Sequence, residues 1–219
     1  MKGLSADETR LMRNEIFARH GKIFKSEDLK NYFGQQSWYK PTAEEVEISD
    51  LEKKNVDFLK AYELRLTIVS SICRYVSTTE KQPFTSLGFN HLKKVDDGYG
   101  CYTADFYGTK GVGNKRNTII GDDGRTGTIQ DDGFTGIIGE ALAINDLHCD
   151  DFSPTMVLYA DKSMKADFEQ QLKGFGFRFT TAPNPDDGQI WYNGNHGLQA
   201  VFGTTSNGHY YLAVGTYTP

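Results

Sequence analysis

Arg19 and His20 stand side by side in the stretch IFARHGKIF and are followed directly by Gly21. A guanidinium and an imidazole at one helix end could bind an anion or a peptide. The competing interpretation is structural, because cationic side chains in the last turn of a helix stabilise the negative end of its dipole. An arginine can also lock small helices together through a carboxylate. We favour the structural interpretation and keep Arg19 and His20 as candidate binding residues.

Two Trp-Tyr pairs could form aromatic platforms for a ligand. They are Trp38-Tyr39 and Trp191-Tyr192. A tryptophan in a small helical module more often fills the core between helices, so Trp38 has a structural as well as a binding interpretation. Substitution Trp38→Ala separates the two, because it unfolds the module if the ring is structural and only weakens binding if it is not. All four residues are kept as candidate binding residues.

Paired aspartates offer hard oxygen ligands of the kind that Ca²⁺ prefers. They occur within a short echo in the sequence, GDDGRTG and then QDDGFTG. Neither has the alternating acids and the final Glu of an EF-hand loop, and Asp-Gly is first of all turn chemistry. We therefore predict no metal and no cofactor, and the weak calcium candidates are Asp122, Asp123, Asp131 and Asp132.

A cysteine nucleophile is the remaining chemical option. Cys101 or Cys149 could act with His196 or His209 as a Cys-His hydrolase. Neither cysteine has a recognisable nucleophile context. The neighbours His148-Cys149-Asp150 point in different directions, and no second His/Cys pair lies at the spacing of metal ligands. The sequence therefore names no catalytic residue.

Composition excludes several classes of protein. The chain has 219 residues, 38% of them hydrophobic, and a formal net charge of -5. A mildly acidic chain without a Lys/Arg-rich stripe does not suit nucleic acid. No apolar run approaches the roughly 18 residues that a spanning helix needs. The opening MKGLSADETR lacks the apolar segment of a signal peptide, so we expect either a cytoplasmic protein or an export leader upstream.

Helix signals dominate residues 1–63. Ser5-Ala6-Asp7-Glu8 is a capping box, and the helix after it is predicted to run to Gly21, which suits the left-handed position just past a helix end. Thr42-Ala43-Glu44-Glu45 and Ser49-Asp50-Leu51-Glu52 are further capping boxes. The second of these two predicts the longest helix of the chain.

The longest helix has one apolar face. Cys73 lies on it, which predicts a buried, unreactive thiol. Because the face continues past residue 63, we predict that this helix links the two halves of the chain. The residues of the apolar face are Leu51, Phe58, Tyr62, Leu66, Val69, Cys73 and Val76.

Strand signals take over after about residue 84. Aromatic and β-branched residues between glycines at 98–108 predict a strand. A buried strand at 156–160, a helix from 161 to 174 with Met164, Phe168 and Leu172 on one face, and a strand at 175–181 follow. The remaining residues predict an antiparallel meander with turns at Asn193-Gly194 and Asn207-Gly208. Helices over a mostly antiparallel sheet indicate an α+β domain.

The stretch RNEIFARHG, residues 13 to 21, resembles the signature of the YARHG domain, a small bacterial module named for that string. Phe17 stands where the family usually has tyrosine. The resemblance covers about residues 4–63; we recognise no family in residues 64–219. It implies an extracytoplasmic protein, often behind a signal or lipoprotein leader, and brings no accepted catalytic residues. The similarity continues at Ile23-Phe24, Leu29, Tyr32-Phe33, Trp38-Tyr39-Lys40-Pro41, Leu51, Asn55, Leu59 and Tyr62.

Export has a consequence for the cysteines. In an oxidising compartment a disulfide between Cys101 and Cys149 becomes a stronger interpretation of those residues than catalysis. Reduction would then shift the electrophoretic mobility of the protein.

Together these observations predict two parts and a binding role. Residues 1–63 form a small all-helical module, which a long helix joins to an α+β domain of 64–219, a mostly antiparallel sheet with one or two packed helices. The function we expect is non-catalytic binding of a glycan, peptide or protein at the periplasmic or cell surface, with no nucleic acid, no transmembrane segment and an upstream lipid anchor as an option. The alternative is a hydrolase of cell-envelope polymers with its active site in the second part.

Overall fold

The computed structural model describes residues 4–78, 81–96, 102–115, 133–149, 152–181, 189–205 and 207–216. The helices are α1 (Ala6–Arg19), α2 (Glu27–Gly34), α3 (Asp50–Thr78) and α4 (Lys165–Gly174), the last preceded by a 3-10 turn (Lys162–Met164). The strands are β1 (Asn90–Asp96), β2 (Tyr102–Gly108), β3 (Gly113–Asn114), β4 (Phe134–Thr135), β5 (Ala143–Cys149), β6 (Phe152–Ala160), β7 (Arg178–Thr181), β8 (Gln189–Asn193), β9 (Leu198–Thr204) and β10 (Tyr210–Thr216).

The chain divides into two compact units, residues 1–67 and 68–219. The first is helical, the second is built on an antiparallel sheet, and α3 runs from one into the other. The predicted α+β class is therefore confirmed. The assignment of residues 1–63 and 64–219 as separate functional domains stays a prediction.

A small aromatic core holds the N-terminal unit together. Phe24 and Phe33 stack with their ring centroids 5.1 Å apart, and Tyr39 packs 5.9 Å from Phe33. The Tyr39 hydroxyl donates a 2.7 Å hydrogen bond to the carbonyl of Lys22. Ala18 and Leu29 complete the buried cluster. So few apolar side chains bury little area, and polar contacts must supply part of the stability.

The end of α1 turns at Gly21, as the sequence predicts. Its φ is 80°, a left-handed value that favours glycine. Its carbonyl accepts hydrogen bonds from the backbone amides of Thr42 (2.7 Å) and Ala43 (3.1 Å). The capping box predicted at residues 42–45 is therefore wrong: the amide and the hydroxyl of Thr42 both donate to the Gly21 carbonyl, and no helix begins there. The capping boxes of Ser5 with Glu8 and Ser49 with Glu52 are both formed.

The apolar face predicted for α3 is correct only in its C-terminal part. Leu51 and Phe58 are 68% and 52% exposed, while Val56 and Leu59 are buried in their place. Helical periodicity identifies an apolar face but not the element that covers it. The buried members of the predicted face are Val69, Cys73 and Val76.

The second unit is organised by one eight-stranded antiparallel sheet in the order β1-β2-β5-β6-β10-β9-β8-β7. The final meander, β8-β9-β10, and its two turns are confirmed. Helix α4 places Met164, Phe168 and Leu172 in the core, as predicted. The central pair, β6 with β10, joins strands distant in sequence and has Leu158 opposite Leu212.

The two halves of this sheet repeat one plan. Each half is a four-stranded antiparallel meander that follows a helix and a glycine turn. Gly88 and Gly176 stand before the two meanders with φ of 94° and 97°. The next residue in each case is a buried phenylalanine, and its amide bonds a carbonyl five residues back at 3.0 Å for Phe89 and 2.9 Å for Phe177. The sheet therefore has an approximate two-fold relation between its halves.

The halves differ in the connection between their second and third strands. In the first half it runs from residue 109 to 142 and contains β3 and β4; in the second it is the short turn 194–197. Val112 and Phe134 from the longer connection pack onto the sheet, with Phe134 5.4 Å from Phe106 and 5.1 Å from Tyr159. This face of the first half is covered, and the equivalent face of the second half lacks such a connection.

Substitution of Gly21 tests the turn at the end of α1. An alanine Cβ there would overlap the Thr42 hydroxyl and lie 3.0 Å from the Lys40 carbonyl, at a left-handed φ. We expect Gly21→Ala to cost about 1–3 kcal/mol of stability in the N-terminal unit. Urea unfolding followed by Trp38 fluorescence in a Trp191→Phe background measures this. Gly34→Ala is the matched control, because nothing lies within 4 Å of its Cβ, and it should be neutral or stabilising. An equal loss in both variants would contradict the account of Gly21.

Candidate functional site

Arg19 makes two contacts within the N-terminal unit. Its guanidinium nitrogens bond Oε1 of Glu15 at 2.9 and 2.5 Å, an i,i+4 pair on α1. The guanidinium also lies over the Trp38 ring, 4.7 Å from its centroid. The arginine thereby fixes Trp38 against the end of α1 by a cation–π contact.

His20 bridges two helices. Its Nε2 lies 2.8 Å from Oε1 of Glu52, in the first turn of α3. This hydrogen bond, followed by those from Ser49, lowers the pKa of the Glu52 carboxyl to about 2. Arg19, His20 and Gly21 therefore each hold a different segment: Trp38, α3 and the strand-like stretch at 42–43. A binding role for Arg19 and His20 stays a prediction.

Trp38 and Tyr39 lie together, with ring centroids 6.4 Å apart, and both are half-buried against the aromatic core.

Two ion pairs that were not predicted from the sequence also join the helices of this unit. Arg13 pairs with Glu63 on α3 at 2.9 Å, and Arg10 pairs with Asp28 on α2. Helix α1 is thus tied by charged side chains to both other helices of the unit, which favours a structural part for its cationic face.

Trp191 and Tyr192 point to opposite faces of β8. Trp191 is only 4% exposed, and its ring centroid lies 5.5 Å from that of Phe179, so it packs in the core. Lys173 lies over its ring at 5.6 Å. Tyr192 is half-exposed on the other face, opposite Arg178 in the sheet register. Tyr192 is therefore the more exposed of the two, and a binding role for Trp191 and Tyr192 stays a prediction.

A half-exposed surface runs across the final meander. Alternate residues of β8, β9 and β10 are buried towards α4, and the residues between them are half-exposed on the opposite face. The sheet register puts these half-exposed residues on one side, where they continue the covered cluster of the first half. We name this surface the meander face; it consists of Ile190, Tyr192, Gln199, Val201, Tyr211 and Ala213.

Gly203 shapes the meander face. It stands opposite Tyr211 in the register, and a Cβ at this position would overlap the Tyr211 ring. The absence of a side chain lets the ring lie directly on the strand. Tyr211 is 6.4 Å from Tyr159, the last ring of the covered cluster. The Tyr211 ring thus packs against Gly203 below it and near Tyr159 on one side, and its remaining surface faces solvent.

A cleft of about 560 Å³ opens beside Tyr192, where α4 ends and β7 and β8 meet. Asn193, 2% exposed, forms its rigid part: its Nδ2 donates to the Phe175 carbonyl at 2.7 Å, and its Oδ1 accepts from the Asn195 amide at 3.2 Å. Among the described residues that line the cleft, the charged ones are both cations. The residues that line it are Lys173, Gly176, Phe177, Arg178, Tyr192, Asn193, Gly194 and Asn195.

A buried carboxylate lies elsewhere in the sheet domain. Asp146 on β5 is 2% exposed, and the Tyr75 hydroxyl donates to its Oδ2 at 3.2 Å. His148 Nε2 lies 2.9 Å from Oδ1, within ion-pair distance. Burial raises the pKa of Asp146, and the nearby His148 and Tyr75 oppose that rise only in part.

More polar groups surround this carboxylate. Asp105 stands opposite Asp146 on β2 and bonds His91 at 2.7 Å. Burial, then Asp105, raises the pKa of Tyr107 to about 12. Sequence reasoning singled out His148 but missed Asp146. The alternation in AINDLHC could have shown it, because residues two apart share a strand face with the buried Ile144.

The structure also bears on the cysteines and on the possible metal sites. Cys73 is fully buried, as predicted, and burial raises the pKa of its thiol to about 12. Within the described ranges, no three His, Cys, Asp or Glu side chains converge as a metal ion requires. Cys101, one member of the predicted Cys101–Cys149 pair, lies outside the described residues, and so do the four calcium candidates, Asp122, Asp123, Asp131 and Asp132.

Among the described residues, no helix is both long enough and apolar enough to cross a membrane.

The buried carboxylate predicts a distinctive pH dependence. A folded-state pKa above the unfolded value means that folding favours the protonated acid, so its contribution is lost as pH rises from about 4 through the folded pKa. Relative to wild type, Asp146→Asn should therefore gain stability as pH rises across that window. Urea unfolding of both proteins between pH 4 and 7 measures the difference. Asp57→Asn, at an exposed position of α3, is the control. A difference that shrinks with rising pH would contradict the raised pKa.

Comparisons with known proteins add one match. No curated protein and no solved structure matches the chain. The family model of the YARHG domain matches residues 1–64, and no family model matches the remainder. This agrees with the signature at residues 13–21 and with the compact helical unit that contains it. The N-terminal part of this chain is a YARHG domain, a module that is generally extracellular.

Proposed function

We propose that this chain is an exported cell-envelope protein with a non-catalytic binding role, and that the meander face is its ligand surface. The match of residues 1–64 to the YARHG domain, which is generally extracellular, supports the extracytoplasmic location. The assignment of the binding surface rests on one difference between the two halves of the sheet, which is how far the same face is covered. The first half covers its face with Val112 and Phe134, and the second half leaves its equivalent residues half-exposed.

The chemistry of the meander face suits a glycan. An aromatic ring that lies flat on a sheet presents an apolar surface with a hydroxyl at its rim, which matches the mixed apolar and hydroxylated surface of a sugar. Tyr211 has this arrangement above Gly203. Gln199 and Tyr192, neighbours in the register of β8 and β9, add hydrogen-bonding groups beside the apolar Val201. A binding site needs such a mixture of apolar surface and a few placed polar groups.

The alternative is a hydrolase of envelope polymers, and one observation favours it. A buried carboxyl with a raised pKa beside a histidine is a common arrangement for acid–base chemistry. Asp146 and His148 have this arrangement, with the Tyr75 hydroxyl as a third group. Under this alternative, Asp146→Asn abolishes hydrolysis of a glycan substrate; under the binding proposal, there is no hydrolysis to abolish.

Substitution of Tyr211 tests the binding proposal. We expect Tyr211→Ala to weaken glycan binding by about tenfold or more, the size of effect when a central aromatic contact is removed. Affinity electrophoresis against a panel of envelope polysaccharides, with a thermal melt for each variant, measures it. Phe179→Ala is the matched control, because Phe179 is an aromatic residue, 48% exposed, on the opposite face of the same meander. Equal losses in both variants, or binding only to proteins, would count against a glycan on the meander face.

A further inference from the structure

The cleft at the end of α4 lies next to the meander face and shares Tyr192 with it. It differs from that face in charge. Lys173 and Arg178 both line the cleft, and none of its described lining residues is acidic. The whole chain carries a net charge of -5, so a described lining whose charged residues are both cations departs from the average. Such a concentration of one sign attracts ligands of the opposite sign.

The backbone around the cleft is held in place by side-chain hydrogen bonds. Asn193 is buried and uses its side-chain amide to bind the Phe175 carbonyl and the Asn195 amide, so it ties the end of α4 to the β8–β9 turn. Gly176 has a φ of 97° and lies close to this amide, where a Cβ would be 3.3 Å from Nδ2. The two cations therefore project from a fixed frame. Fixed donors bind a ligand group at a smaller entropic cost than mobile ones.

The Lys173 side chain is held in a particular place. Its ammonium lies 5.6 Å from the centroid of the Trp191 ring, which is 4% exposed. The indole Nε1 of Trp191 has no hydrogen-bond partner among the described residues. Arg178 leaves the strand next to Phe177, opposite Tyr192 in the register. The guanidinium of Arg178 and the phenol of Tyr192, on one face of β7 and β8, can bond the oxygens of an anionic group, and the Lys173 ammonium beside Trp191 adds a second positive charge to the cleft.

We propose that this cleft binds the anionic group of an acidic glycan whose sugar rings lie on the meander face. The inference rests on the proposed function and adds the ligand class to it: a polymer that carries carboxylates or phosphates. Tyr192 belongs to both surfaces, so one ligand reaches from Tyr211 to Lys173 and Arg178. Charge complementarity selects this ligand over a neutral glycan, because each cation contributes a charge-assisted hydrogen bond that a neutral sugar cannot match.

The test measures the affinity of the full chain for three polymers by titration calorimetry at low salt. They are polygalacturonate as the carboxylate source, poly(glycerol phosphate) as the phosphate source, and dextran as the neutral reference. The wild type should bind one or both acidic polymers at least about tenfold more tightly than dextran, and added salt should reduce that preference. The two acidic arms decide between carboxylate and phosphate. Equal affinity for all three polymers overturns the inference and leaves the binding proposal intact.

Variants of the two cations sharpen the test. Lys173→Gln and Arg178→Gln should each weaken binding of the acidic polymer by about tenfold, with little effect on dextran. Lys173→Arg keeps the charge and should keep the affinity, which separates charge from any loss of packing on Trp191. Lys162→Gln, at an exposed position of the 3-10 turn before α4, is the control. Unchanged discrimination in both Gln variants overturns the inference.

If none of the polymers binds, the proposed function fails, and the cleft is then tested by itself. Galacturonate monomer and inorganic phosphate are titrated into the protein while the amide resonances of Tyr192 and Asn195 are followed by NMR. Shifts that Arg178→Gln removes support an anion site that does not depend on a polymer. The absence of shifts overturns the inference as well.

Discussion

A β-sheet has two faces, and each must either be covered or carry a function, because exposed apolar surface is costly in water. In this protein α3 packs on one face of the first half, where Tyr75 bonds Asp146, and α4 packs on the same face of the second half, where Lys165 and Lys173 lie over Phe202 and Trp191. The other face of the sheet is covered in one half and half-exposed in the other. The connection between β2 and β5 covers it in the first half, and the four residues of the β8–β9 turn cannot do the same in the second. The accessibility of the meander face follows from that one difference.

The approximate repeat allows the two halves of the sheet to be compared position by position, so the missing cover on the second half can be recognised. Two meanders with the same glycine turn and the same buried phenylalanine meet at β6 and β10. In a sheet made of two similar halves, a covering element on one half shows what the other half lacks. Tyr211 lies at the border between them, 6.4 Å from Tyr159, and Gly203 beneath it keeps the surface flat. The cleft with Lys173 and Arg178 lies beyond the other end of the same surface.

Local signals in the sequence predicted much of the fold, and non-local features were missed. Capping boxes, the left-handed Gly21 and the apolar face of α4 depend on residues close in sequence, and they were predicted correctly. Thr42 was not, because its hydrogen bonds go to Gly21, far along the chain. Phe58 was not, because periodicity does not specify a packing partner. For Asp146, strand alternation marks a position on the same face as the buried Ile144, but the partners Tyr75 and Asp105 come from other elements and could not be foreseen.

The central claim is that the ligand contacts the open half of the sheet and not the covered half. Methyl NMR during a titration with acidic oligosaccharide measures this directly, because methyl groups lie on both halves of the same face. The account predicts shifts at Ile190, Val201 and Ala213, which are half-exposed, and none at Ala104 or Val157, which are buried in the covered cluster. Shifts centred on the covered half, or on residues around Asp146, would contradict it.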